Sequence, residues 1–269
     1  MRYFIEFTYN GTAYHGWQKQ NNVTTVQEAL EKALAVLLRA PIDTTGAGRT
    51  DTGVHATQAF AHFDADEISD LHDTVYRLNA LLPRDIAVRR IIPLHDDAHA
   101  RFDARRRTYH YLIHTRKEVF LENLSWQFSP PLDVDKMNRA ASVLPLYNDF
   151  ECFSKVDTDV HSFICKITQA NWERTAHGLK FTISADRFLR NMVRAVVGTL
   201  IDIGRGRIPE ESLERIIESR DRCQAGFSAP ACGLYLAEIQ YDYISNPSPD
   251  RSGVLLQGDS LQKTQRIAG

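Results

Sequence analysis

The chain has 269 residues, 43% hydrophobic and 25% charged, with a formal net charge of −2. That length suits one large domain or two ordinary ones with ample core, and the near-neutral balance excludes nucleic-acid binding driven by overall charge, leaving only a local basic patch to do it. Four cysteines (Cys152, Cys165, Cys223, Cys232) form no CxxC pair, and neither a signal peptide nor an apolar run of membrane-spanning length is evident, so a soluble cytoplasmic chain with reduced thiols is expected.

Residues 2–9, RYFIEFTY, are rich in aromatic and branched side chains and read as a strand. Residues 9–20, YNGTAYHGWQKQ, form a loop with a turn at Asn10-Gly11, whose Tyr14 and Trp17 either pack on the surface or face a ligand. Thr25 and Glu28 have capping-box spacing ahead of the stripe Val26, Ala29, Leu30, Ala33 and Leu37, which predicts a helix ending near Arg39, before Pro41. Next comes GAGRTDTGVHA, residues 46–56, with neither a helical stripe nor a strand alternation. Three glycines there let the backbone approach a ligand closely, and Asp51 sits two residues from Arg49. Read locally, an aspartate in a glycine-rich turn is a turn former first, and a loop longer than a short helix–strand connection needs weakens that reading without removing it. A strand over 58–64, a helix over 69–82 stopped by Pro83, and a strand over 86–94 follow, giving helices layered on a sheet.

AHARFDARRR, residues 98–107, changes the composition abruptly and marks a domain boundary. RRTYHYLIH continues as a strand of period two, placing Arg105, Arg107, Tyr109 and Tyr111 on one face. Cations for phosphate and rings for bases suit a nucleic acid; a solvated basic edge over packed tyrosines accounts for the same pattern. A helix over 134–144 precedes a hairpin of 166–175 and 179–185 around His177-Gly178. A long helix is then expected from Arg187 to Gly204, with Leu189, Met192, Val193, Val196, Val197 and Leu200 on its core face. Arg187, Arg190, Asn191, Arg194 and Gly198 cluster on the other side at 3.6 residues per turn. An interior glycine is costly in a helix, so Gly198 suggests a second backbone close by and Arg194 a side chain aimed at something. Pro209 opens a short helix to Ser219, residues 229–241 run into a last strand, and the tail from 244 is expected to be mobile.

Asp51-Thr52-Gly53 spells the DTG of aspartic proteases, but such a site needs two aspartates sharing a proton, and one DTG is present. HExxH, GxxxxGK[ST] and GxGxxG are absent, so metal, nucleotide and dinucleotide sites have no support.

Taken together, GAGRTDTGVHA closely resembles the catalytic motif of the tRNA pseudouridine synthase A (TruA) family. YNGTAYHGWQKQ, FDARRRTYHYLI, FLRNMVRAVVGTL and APACGLYL agree with that family in kind and order, over residues 1–243. The resemblance implies an α+β fold of two similar halves (1–104 and 105–243), each a mixed, mainly antiparallel sheet with helices on one face and the active cleft between them. It implies a homodimeric, cofactor-independent and metal-free isomerase that converts uridine to pseudouridine at positions 38, 39 and 40 of the tRNA anticodon stem-loop. Asp51 matches the catalytic aspartate and Arg194 the arginine paired with it. Tyr109 matches the tyrosine that stacks on the base, and Arg49 the arginine that helps extrude the nucleotide. Arg105, Arg107 and Leu234 complete the expected substrate contacts. Thr52, where alanine is usual, and Cys232 are small departures. A structured-RNA-binding protein or chaperone without chemistry is the alternative, and Asp51 separates the two.

Overall fold

The computed structural model describes residues 1–155 and 162–245. Its N-terminal half runs β1 (Arg2–Tyr9), α1 (Val26–Leu38), β2 (Thr45–Gly46), β3 (His55–Asp64), α2 (Leu71–Leu81) and β4 (Ile86–Leu94). The C-terminal half runs β5 (Arg106–His114), β6 (Trp126–Gln127), α3 (Val134–Ala141), β7 (Ile167–Arg174), β8 (Gly178–Ala185), α4 (Met192–Gly204), α5 (Ser212–Ser219) and β9 (Leu234–Gln240). The strands form one sheet in the order β4-β1-β3-β9-β5-β8-β7, with β2 on β3 and β6 on β5. Pairing is antiparallel except for β3 with β9 and β5 with β6. The chain is therefore α+β with a mixed, mainly antiparallel sheet.

The last strand joins the halves. β9 pairs His55↔Tyr235 and Ala56↔Leu236 on one side, and Arg106↔Gln240 through Tyr111↔Leu234 on the other. Two apolar cores flank this seam. Phe4, Phe7, Leu30, Leu34 and Phe60 build the N-terminal one, and Met137, Phe150, Phe153, Phe181 and Val196 the C-terminal one. The boundary expected at 104/105 falls just ahead of β5, yet β9 sends Leu236 and Ile239 into the N-terminal core and Leu234 into the other. Such sharing follows from a strand whose two neighbours belong to different halves.

Local chemistry sets the element ends. Thr25 caps α1 by accepting from Glu28 N, and Arg39 closes it in the left-handed region at φ 55°. Asp70 caps α2 in the same way, so that helix begins at Leu71, two residues later than the expected start at 69. β3 begins at His55 rather than at 58, because its first residues pair with β9, a partner 180 residues away in sequence. The tail expected from 244 lies mostly outside the described residues.

Helix α4 differs most from expectation. It begins at Met192 rather than Arg187, because Asn191 takes the left-handed conformation at φ 67°. Asparagine tolerates that region where most residues do not. Its Nδ2 donates to Ser228 Oγ at 2.7 Å, and the Arg190 carbonyl accepts from Lys155 N at 3.0 Å. Arg187, Arg190 and Asn191 thus lie on a loop, and of the expected polar stripe only Arg194 and Gly198 are helical. A Cβ on Gly198 would stand 1.8 Å from the Phe227 carbonyl oxygen. The backbone at 226–229 lies directly on α4 there.

Candidate active site

Asp51 sits in the hairpin between β2 and β3, and that hairpin is braced from several sides. Glu31, buried on α1, accepts from Thr44 N and Thr44 Oγ1 at 2.9 and 3.1 Å, which fixes the approach to β2. Tyr9 hydroxyl bonds Thr50 Oγ1 at 2.8 Å, and Trp17 N donates to the Thr50 carbonyl at 3.3 Å. Gly16, at φ 89°, lies so close that a Cβ there would meet the Thr50 carbonyl oxygen at 2.3 Å. The open choice at residues 9–20 resolves as packing. Trp17 is buried and stacks on Phe7, while buried Tyr14 donates its hydroxyl to Asp85 at 2.6 Å.

His55 is a brace that sequence reasoning missed. Its Nδ1 accepts from Gly11 N at 3.0 Å, which leaves the proton on Nε2, facing the Cys232 carbonyl at 3.2 Å. The ring stacks on Tyr235 with centroids 4.6 Å apart. Desolvation lowers its pKa, so the imidazole is neutral and ties the loop at 10–12, the motif hairpin and the turn before β9 together. Its only sequence signal is its place within the glycine-rich motif.

Two guanidinium groups face the Asp51 carboxylate. Arg194 Nη1 lies 3.5 Å from Oδ2 and Arg190 Nε lies 3.9 Å from Oδ1. Arg194 is the more enclosed, its side chain 20% exposed against 58% for Arg190. Its Nε donates to the Ala229 carbonyl at 2.6 Å, and Ala229 N returns a bond to the Arg194 carbonyl at 3.0 Å. The close approach at Gly198 is what brings Ala229 to Arg194. Arg190 was expected only as part of a polar stripe; the Asn191 turn swings it toward the carboxylate.

Tyr109, on β5, packs against both cores and meets Phe188 edge-on at 5.1 Å. Burial pushes its hydroxyl up to about 12, with the Asp51 charge adding to the shift and Arg107 opposing it. The ring is therefore a neutral phenol at ordinary pH. Tyr111, on the same face by period two, takes the packed alternative: it is fully buried and donates its hydroxyl to the Pro230 carbonyl at 2.7 Å.

The remaining expected contacts divide. Arg49 is exposed, with no side-chain partner among the described residues. Arg107, expected to reach phosphate, reaches backbone instead: its guanidinium donates to the carbonyls of Ala47, Arg101, Ala104 and Asp186 at 2.7–3.3 Å. Those four bonds clamp the motif hairpin and the 98–104 crossover to the sheet. Arg105 pairs with Asp242 at 2.7 Å on the surface. Leu234 is buried, at the start of β9 opposite Tyr111. Among the described residues no group of three His, Cys, Asp or Glu is placed to hold a metal ion, and no helix is long and apolar enough to cross a membrane. What the site offers is a partly exposed carboxylate, two cations and an aromatic ring.

A family model described as tRNA pseudouridine synthase matches residues 7–103 and 147–242. Among curated proteins, the tRNA pseudouridine synthase A of Parabacteroides distasonis is 50% identical over 241 residues, covering 89% of this chain and 96% of the relative. That of Bacteroides fragilis is 50% identical over 242 residues, covering 89% and 96%. A more distant relative of the same name, from Thermoanaerobacter pseudethanolicus, is 40% identical over 239 residues, covering 88% and 98%. The matched segments contain Asp51 and Arg194, and Tyr109 lies between them. On these matches the chain belongs to the tRNA pseudouridine synthase A family.

Proposed function

We propose that this chain isomerises uridine to pseudouridine in tRNA, at positions 38, 39 and 40 of the anticodon stem-loop. The observation that carries the reading is the partly exposed Asp51 carboxylate facing Arg194 and Arg190, in a chain of this family. The isomerisation breaks the N-glycosidic bond, turns the uracil and rejoins it to the ribose through carbon 5. The hydrogen on carbon 5 then leaves as a proton, and N1, freed from the ribose, takes one up. No electrons are gained or lost, so the protein's task is to hold a charged carboxylate against the sugar or base, keep the detached uracil in place and exclude water.

In this reading Asp51 acts on the nucleotide, as nucleophile or as base. Arg194 orients it and stays charged where an enclosed lysine would not. Tyr109 stacks on the uracil, an interaction worth roughly 1–3 kcal/mol per base. A paired base must be extruded at a cost of a few kcal/mol, and Arg49, exposed and without a side-chain partner among the described residues, fills the space it leaves. Arg107 acts one step back, by fixing the hairpin that presents Asp51. Leu234 and Arg105 are the weaker members of the set, one being buried and the other paired with Asp242. The enzyme acts in the cytoplasm as a homodimer, a reading that rests on the family resemblance.

Mapping the product tests the positions. Carbodiimide modification and primer extension on tRNAs with uridine at 38, 39 or 40 alone should show new stops at each. Stops confined to uridines outside the anticodon arm would overturn the substrate assignment. Light scattering on the purified protein tests the dimer; a monomer mass at assay concentration would contradict it.

A further inference from the structure

Tyr109 and His114 lie five residues apart on β5, about 17 Å at roughly 3.3 Å per residue. At the His114 end a cavity of about 710 Å³ opens between the turn after β5, the Pro130-Pro131 segment and the β7–β8 turn. Arg116, Lys117 and Arg174 line it, with His177 at the turn. All four are exposed, and among the described residues the three cations have no side-chain partner. Elsewhere on the surface, Arg139, Lys180 and Arg220 each hold a carboxylate. One carboxylate, Glu118, also lines the cavity, but its Oε1 is taken by Phe120 N at 3.2 Å as the cap of the next turn.

The wall holds a second irregularity. His114 is 3% exposed, and its Nδ1 has no hydrogen-bond partner in the protein. A buried polar atom left unpaired costs about 1–3 kcal/mol. In a chain of net charge −2, three cations without a side-chain partner among the described residues, against the one carboxylate of Glu118, leave this hollow net positive. Guanidinium groups match phosphate oxygens in pairs, and the prolines with Leu132 supply an apolar wall against which a ribose can lie.

We propose that this cavity binds phosphate, and that the phosphate it takes is the backbone of the same RNA whose uridine is held at Asp51. The inference rests on the tRNA-modifying reading above. It gives the substrate a second grip, a few nucleotides from the reacting one, that positions the RNA without reading its sequence.

The test is a combined Arg116→Gln, Lys117→Gln, Arg174→Gln variant of the full chain, first shown by thermal melting to fold like the parent. Each lost phosphate contact should lower the salt slope of tRNA binding by about 0.7–0.9. A slope reduced by roughly 2–3, with KM raised at least tenfold and kcat unchanged, supports the proposal. An unchanged slope and KM overturns it. Imidazole signals of His114, followed by NMR, separate the two sources of phosphate. Movement on adding micromolar tRNA, with none from inorganic phosphate at the same concentration, supports the backbone. Equal movement with both, and no change in slope, overturns the RNA assignment in favour of a free-anion site. A failed function reading looks different, because the parent protein would then bind tRNA without turning it over.

Discussion

Arg194 faces the Asp51 carboxylate at 3.5 Å with one nitrogen and holds the Ala229 carbonyl at 2.6 Å with another. A planar guanidinium spans both at a fixed angle; a lysine ammonium on a flexible stem reaches only one. Arg194→Lys should therefore fold normally and lose turnover. Losing one charge-assisted bond costs about 1.5–3 kcal/mol, which is a ten- to hundredfold fall in kcat. Steady-state kinetics on a tRNA substrate checks this, and wild-type kcat in the variant would show that Arg194 does not orient the carboxylate.

Gly198 controls the same contact from the other side. Alanine there drives a methyl into the Phe227 carbonyl, and the strand of backbone that carries Ala229 must lift off α4. Overpacking of this kind costs about 1–3 kcal/mol. Gly198→Ala should lower the midpoint of urea unfolding and depress activity in the still-folded fraction. Gly48→Ala, where nothing stands within 4 Å of the added Cβ, is the control for stability. Equal midpoints for the two variants would contradict the packing account.

Arg190 is farther from Asp51 and mostly exposed, and exposed ion pairs contribute little. Arg190→Gln should leave stability within about 0.5 kcal/mol of the parent and reduce kcat less than Arg194→Lys does. A larger loss than at Arg194 would reverse the order of the two arginines.

Most of these features can be located in the sequence, but not all for the same reason. Asp51 was visible because its loop breaks every periodic pattern around it. Gly198 announced a close approach through its cost in a helix. For Arg107, strand periodicity gives the face of the side chain but not the four carbonyls waiting for it. Of the two readings that periodicity leaves open for this face, Tyr111 takes the packed one. The start of α4 was set by the Asn191–Ser228 bond, made across 37 residues, and the start of β3 by pairing with β9. Contacts of that range leave no trace in a local window.

Histidines set the acid limit of the fold. Desolvation lowers the pKa of His55, and burial brings His62 and His110 to about 4. In the unfolded chain each titrates near 6.5, so below that pH the unfolded state binds more protons. Stability is complete above about pH 6.5 and falls as pH drops toward 4. His62, 7% exposed, alone contributes about 1.4 kcal/mol per pH unit in that window. Urea unfolding at pH 7 and pH 5 should show the midpoint fall; a midpoint unchanged at pH 5 would mean that these rings are protonated in the folded protein.

The central claim is that Asp51 carries out an isomerisation on a uridine of tRNA. Joining the base to the ribose through carbon 5 must expel the hydrogen held there. A tRNA transcript tritiated at carbon 5 of its uridines should release tritium to water with the wild-type protein. Asp51→Asn protein should release none while binding the RNA about as tightly. Release at the wild-type rate by the variant, or none by the wild type on tRNAs with uridine at 38 to 40, would contradict the account.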